Sequence, residues 1–91
     1  MKTEIVEIYS DATNAVVIRH PGRKFPGVLI QGDTLCIMVD TLSSVVEKSA
    51  SLPDETATEL KDVRDRLSDF LSHYVAVLKQ HELPLPFSIN T

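Results

Sequence analysis

The sequence predicts an α+β fold: a small antiparallel sheet of two or three strands, followed by an antiparallel hairpin of two helices. Three observations carry this. Short β-branched runs parted by turn residues fill the first third, apolar residues at helical spacing fill the rest, and only a brief link separates the two helical stretches. A sheet this small is not stable alone, so it is expected to pack on the helices.

The longer helix is expected over 52–82. Leu60, Val63, Leu67, Phe70, Leu71, Tyr74, Val77, Leu78 and His81 recur at steps of three and four, a broad apolar stripe with Val75 on its flank. Ser51 is placed as its cap, with Pro53 in the first turn and Asp54 completing a capping box. Asp54, Glu55 and Glu59 suit the positive end of the helix dipole, and Lys79 and His81 the negative end. Glu82-Leu83-Pro84 stops it, because a residue before proline avoids helical geometry. Some thirty residues make a rod of roughly 45 Å, longer than a compact 91-residue domain is wide. A second copy packing on the stripe accommodates that excess, so a homodimer is expected.

Taken in order, the chain reads as one domain spanning 1–91, with a sheet region over 3–31. Residues 3–9 form a strand with Val6 and Ile8 on one face and Ile5 and Tyr9 on the other. Asp and Asn in 10–14 make a turn. A second strand spans 15–19, and a basic loop closed by Phe25-Pro26-Gly27 leads to a third over 28–31. Asp33 is placed as the cap of a helix over 34–50, with Leu35, Met38, Val39, Leu42, Val45 and Val46 on one face and Ile37 pointing away. Leu42 and Leu67 are expected on the facing sides of the hairpin. The tail 83–91 alternates Leu83, Leu85, Phe87 and Ile89 and is stiffened by two prolines, so it is expected to lie extended in a groove or along a sheet edge.

Composition narrows the function classes. The net charge of −4 is uneven: residues 1–33 balance at zero, and the excess acid lies beyond them, chiefly on the long helix. Binding a polyanion needs clustered Lys and Arg, so nucleic acid is not an expected partner. The single cysteine, Cys36, leaves no internal disulfide and fits a reducing compartment. With no apolar signal core and no membrane-length run, the chain is expected in the cytoplasm without membrane contact.

No catalytic motif emerges. Cys36 has no histidine at a supportive spacing, His73 and His81 stand eight apart with no completing ligand, and neither a metal nor a cofactor is expected. The loop from Arg19 to Gly27 is not a phosphate-binding loop, because Val28-Leu29 follows Gly27 where Lys-Ser/Thr is needed. Its glycines and prolines read first as turn geometry and its charges as solvated. Gln31-Gly32-Asp33-Thr34 resembles an anion site at a helix start, but Asp33 as cap occupies that position itself. Asp62, Asp65 and Asp69 share the polar face of the long helix, with Arg66 placed to pair with them. The residues assigned to partner contact are therefore Arg19, Arg23 and Lys24 on the loop, and Asp62, Asp65 and Asp69 on the helix.

The stretch EIYSDATNAVVIRHPGRKFPGVLIQGDTL, residues 7–35, resembles a family of small uncharacterised bacterial proteins in which Pro-Gly-Arg-x-Phe-Pro-Gly leads into Gln-Gly-Asp-Ser/Thr-Leu. LKDVRDRL, HYVAVL and LPLPFS, between Leu60 and Ser88, resemble its second half. The resemblance implies no activity. In size and charge the chain is also similar to immunity proteins that neutralise toxins. The leading expectation is a non-enzymatic protein–protein interaction module of immunity or antitoxin type. The alternative is a small-molecule or anion-binding regulator using the 19–33 segment.

Overall fold

Three strands are followed by two helices, as the sequence predicts, in a computed structural model that describes residues 1–88. Ile89 of the alternating tail lies outside the described residues. The chain forms two units, Met1–Gln31 and Gly32–Thr91.

The first unit is a three-stranded antiparallel sheet in the order β1-β2-β3, with β1 Glu7–Ser10, β2 Val16–Arg19 and β3 Gly27–Leu29. All three strands are shorter than their β-branched runs suggest. β1 contains a bulge: Ile8 faces Ile18 and Ser10 faces Val17, so Tyr9 is the extra residue and the side-chain alternation breaks there. Ile5, expected to share a face with Tyr9, lies before the strand and is 93% exposed. The turn between β1 and β2 is held by hydroxyls, not by the Asp and Asn expected to make it. Ser10 Oγ accepts from the Ala12 N–H, and Thr13 Oγ1 from the Ala15 N–H. β2 and β3 form a hairpin that sets Ile18 opposite Gly27 and Val16 opposite Leu29.

The second unit is the helical hairpin, with α1 Gly32–Glu47, a 3₁₀ turn Ser49–Ser51, and α2 Asp54–Gln80. α1 begins two residues earlier than expected. This puts Asp33 inside its first turn, where the carboxylate accepts from the Thr34 N–H at 2.8 Å instead of capping from outside. The capping box expected of Ser51 and Asp54 is absent. The 3₁₀ turn takes up Ser51, Pro53 becomes the N-cap, and Asp54 is the first helical residue, too early to close a box. The Pro53 carbonyl accepts the first helical bond, from Ala57, at 2.9 Å.

α2 ends in a left-handed cap. Glu82 has φ 56°, its N–H donates to the Lys79 carbonyl at 3.1 Å, and the Leu83 N–H reaches the Leu78 carbonyl at 2.9 Å. These are the paired bonds of a Schellman motif, which usually places glycine where Glu82 stands. The helix therefore stops at this turn, before Pro84 is reached.

The helices pack antiparallel, with the phenol end of Tyr74 so close to the backbone of Gly32 that a Cβ there would clash with the ring. Gly32 is buried for that reason. Among the described residues Val39 is the most deeply buried hydrophobic side chain, with 7% of its surface exposed. Around it Leu35, Leu42, Val46, Leu60, Leu67, Leu71 and Leu78 are half-buried.

The inward faces are turned from those the apolar stripes predict. Met38, Val45, Val63 and Phe70 are exposed, while Cys36, Ser43, Ala57, Arg64 and Ser68 are half-buried. Ile37 is exposed, as expected. At roughly 100° per residue, Val63 and Phe70 stand about 60–80° from the line through Leu60, Leu71 and Leu78. Small residues occupy much of the seam and the bulky ones are displaced to its edge. Among the described residues no helix is long and apolar enough to cross a membrane.

Two stability tests follow. Gly32→Ala is expected to cost about 1–3 kcal/mol through overpacking, and that cost should vanish in a Tyr74→Ala background when denaturant midpoints are compared. Glu82→Gly should stabilise by roughly 0.5–1 kcal/mol, by relieving a left-handed conformation that a side chain resists. A lower midpoint for Glu82→Gly would contradict the cap geometry.

Candidate functional site

Turn chemistry explains most of the basic loop assigned to partner contact. The Arg23 N–H donates to the His20 carbonyl at 2.9 Å, making His20-Pro21-Gly22-Arg23 a turn with proline at its second position. The Gly22 N–H donates to His20 Nδ1 at 3.0 Å, and the imidazole lies so close that a Cβ on Gly22 would stand 3.3 Å from it. The Arg19 guanidinium is committed to the Glu7 carboxylate across the β1–β2 pair, and its Nη1 also donates to the Arg23 carbonyl at 3.1 Å. The bond to Glu7, and then its charge, holds Arg19 still more firmly in the protonated form. Lys24 lies over the Phe25 ring, 5.4 Å from its centre, and Phe25 is 73% exposed. The hairpin register sets this loop at the end opposite Leu29, through which the chain leaves the sheet. Of the three cations, Arg23 and Lys24 remain for contact, with an exposed aromatic beside them.

Asp62, Asp65 and Asp69 are all exposed on α2. Arg66, expected to pair with them, is not the partner: Arg64 Nε donates to Asp65 Oδ1 at 2.7 Å. Arg64 lies on the half-buried side, so its stem crosses the packed surface while its head turns out to the neighbouring carboxylate. Among the described residues no group of three or more His, Cys, Asp or Glu side chains is arranged to hold a metal ion.

Sequence reasoning missed a cleft of about 550 Å³ in the helical unit, within the ordinary range for small-molecule sites. α1 contributes Cys36 and Asp40, one turn apart. α2 supplies the row Leu71, Val75 and Lys79, with Ser72 and Ala76 beside it. Phe87 and Ser88 of the tail close the remaining side.

The tail is held there by the stack of Phe87 on Tyr74, with ring centres 6.4 Å apart and planes at 27°. Tyr74 therefore meets α1 through Gly32 and the tail through Phe87. The tail is expected to lie extended in a groove or along a sheet edge; in the structure its Phe87 and Ser88 line the cleft. What the sequence did not reveal is that the tail forms a wall, which brings Cys36, Asp40 and Lys79 onto one cavity.

Cys36 is half-buried, and its thiol faces Asp40 Oδ2 at 3.9 Å. Burial first, and then the Asp40 charge and hydrogen bond, push the thiol above its ordinary pKa. Less thiolate is present near neutrality, so the site suits binding better than nucleophilic attack. Asp40→Asn should raise the alkylation rate of Cys36 by iodoacetamide at pH 8, with burial keeping it below that of an unstructured cysteine. An unchanged rate would show that the carboxylate does not act on the thiol.

Comparison with known proteins gives the family without an activity. The chain belongs to a family of unknown function, DUF6959, which it matches over residues 1–87. No curated protein and no solved structure matches it.

Proposed function

We propose that the protein is a non-enzymatic interaction module that pairs with a second copy of itself through the helical hairpin and presents acidic helix surface to a basic protein partner. The observation that carries this reading is the bare apolar flank of the hairpin. Val63 is 51% and Phe70 64% exposed, and they stand seven residues apart on α2. Met38 and Val45 of α1 are also exposed, and for antiparallel helices the wheel places them on the same side as Val63 and Phe70. Leaving such a row in water forgoes hydrophobic stabilisation, and a two-fold-related copy presents the same row in return.

Asp62 and Asp69 are exposed and have no ion-pair partner among the described residues. Together with Glu55 and Glu59 they favour a basic protein over an acidic one. Arg23, Lys24 and the exposed Phe25 add a second contact surface. Small size and acidic charge support placing the chain among bacterial, cytoplasmic proteins of immunity or antitoxin type, which act by occluding a partner.

Sedimentation velocity at about 100 μM should give twice the 10.1 kDa chain mass, and Phe70→Asp should return it to the monomer without loss of helical signal. A wild-type monomer at that concentration would overturn the pairing.

A further inference from the structure

From the cleft of α1, α2 and the tail, we infer a second binding site on the hairpin, one that takes a short free peptide of apolar residues. Its amino terminus would be held at Asp40 and its carboxylate at Lys79.

The chemistry of the lining sets the ligand class. Leu71, Val75 and Phe87 provide apolar wall, and the two charged groups stand on different helices. Among the described residues neither Asp40 nor Lys79 has an ion-pair partner, and the hydrogen-bonding partner of Asp40 is the weakly donating Cys36 thiol. An apolar cleft with one unpaired carboxylate and one unpaired ammonium complements a ligand bearing the opposite charges.

Helix geometry sets its length. Gly32, at the start of α1, is level with Tyr74, so in the antiparallel pair Asp40 lies toward the start of α2 while Lys79 lies beyond Tyr74, near its end. Eight residues from Gly32 to Asp40 and five from Tyr74 to Lys79, at about 1.5 Å each, set the two backbone levels roughly 20 Å apart. Side chains leaning toward each helix's own N-terminus bring the charges to roughly 15 Å. That is too far for the two groups of one amino acid. At about 3.3–3.6 Å per extended residue, a tripeptide spans about 10 Å, and with an ion pair of about 3 Å at each end it covers the distance. The Ser72 and Ser88 hydroxyls on the lining suit the peptide's backbone amides.

The helical wheel puts Cys36, Asp40, Ser72 and Lys79 on the side of the hairpin opposite Val63 and Phe70. The site is therefore independent of the proposed self-pairing. The sedimentation result does not bear on it.

Isothermal titration of the full chain with trileucine tests the assignment. Saturable one-to-one binding is expected, weakened at least tenfold by N-acetylation and at least tenfold by C-terminal amidation. Asp40→Asn should abolish the difference between trileucine and its acetylated form. Lys79→Met, which keeps the stem, should do the same for the amide. No heat up to millimolar peptide would overturn the assignment. So would equal binding of free and doubly capped peptides, the mark of an apolar surface alone. The capped peptides need no variant, so the outcome stands even if a substitution perturbs the fold.

Discussion

The contact between the Tyr74 ring and the bare backbone of Gly32 is the constraint on which the helical unit depends. A ring can lie against a helix backbone only where no Cβ intervenes, and the contact sets the spacing and level of the two helices at that end. Six residues of α2 then run past the start of α1, Val75 to Gln80, an overhang of roughly 9 Å. The overhang would leave the outer face of Tyr74 bare. Phe87 fills that position, and the tail it brings back becomes the wall of the cleft.

Close approach at this seam also explains which side chains remain outside. Cys36, Ser43, Ala57 and Ser68 are small enough to sit between the helices, whereas Met38 and Phe70 are not. The hairpin consequently has two unlike sides. One carries a cleft with charges at its ends, and the other a row of uncovered apolar side chains. The core gains little from that second side: full burial of an apolar side chain contributes roughly 1.5–3 kcal/mol, and Met38, Val45, Val63 and Phe70 each keep much of their surface in water. A unit built this way has reason to recruit a partner surface.

The loop at the far end of the sheet hairpin is a different kind of surface. Arg19 is spent on Glu7 and on the loop's own carbonyl, so it braces the turn. Lys24 lies over Phe25, and Arg23, with no ion-pair partner among the described residues, adds to a small cationic–aromatic patch. Both this patch and the acidic face of α2 were readable as charge. The pairing of Asp65 was not, because helical spacing places Arg66 beside the acidic row, whereas the half-buried Arg64 makes the bond.

Local chemistry alone determined the order and type of the elements. β-branched runs, turn residues and helical periodicity each act within a few residues, so three strands and two helices could be read in sequence order, along with a tail too apolar to stand free. The tertiary structure decided where each element ends and which way it faces. Ser51 could cap a helix, yet the short link draws it into a 3₁₀ turn, and α2 ends at Gln80, closed by the left-handed Glu82 before the proline is reached. The turn of both helices about their axes, with Phe70 outside and Cys36 inside, depends on how near the backbones come, and that distance is set by one glycine and one tyrosine 42 residues apart. No pattern within either helix records it. The cleft follows from the same contact: Asp40, Lys79 and Phe87 share no spacing in the chain, and they line one cavity only because Tyr74 holds α1 on one face and the tail on the other.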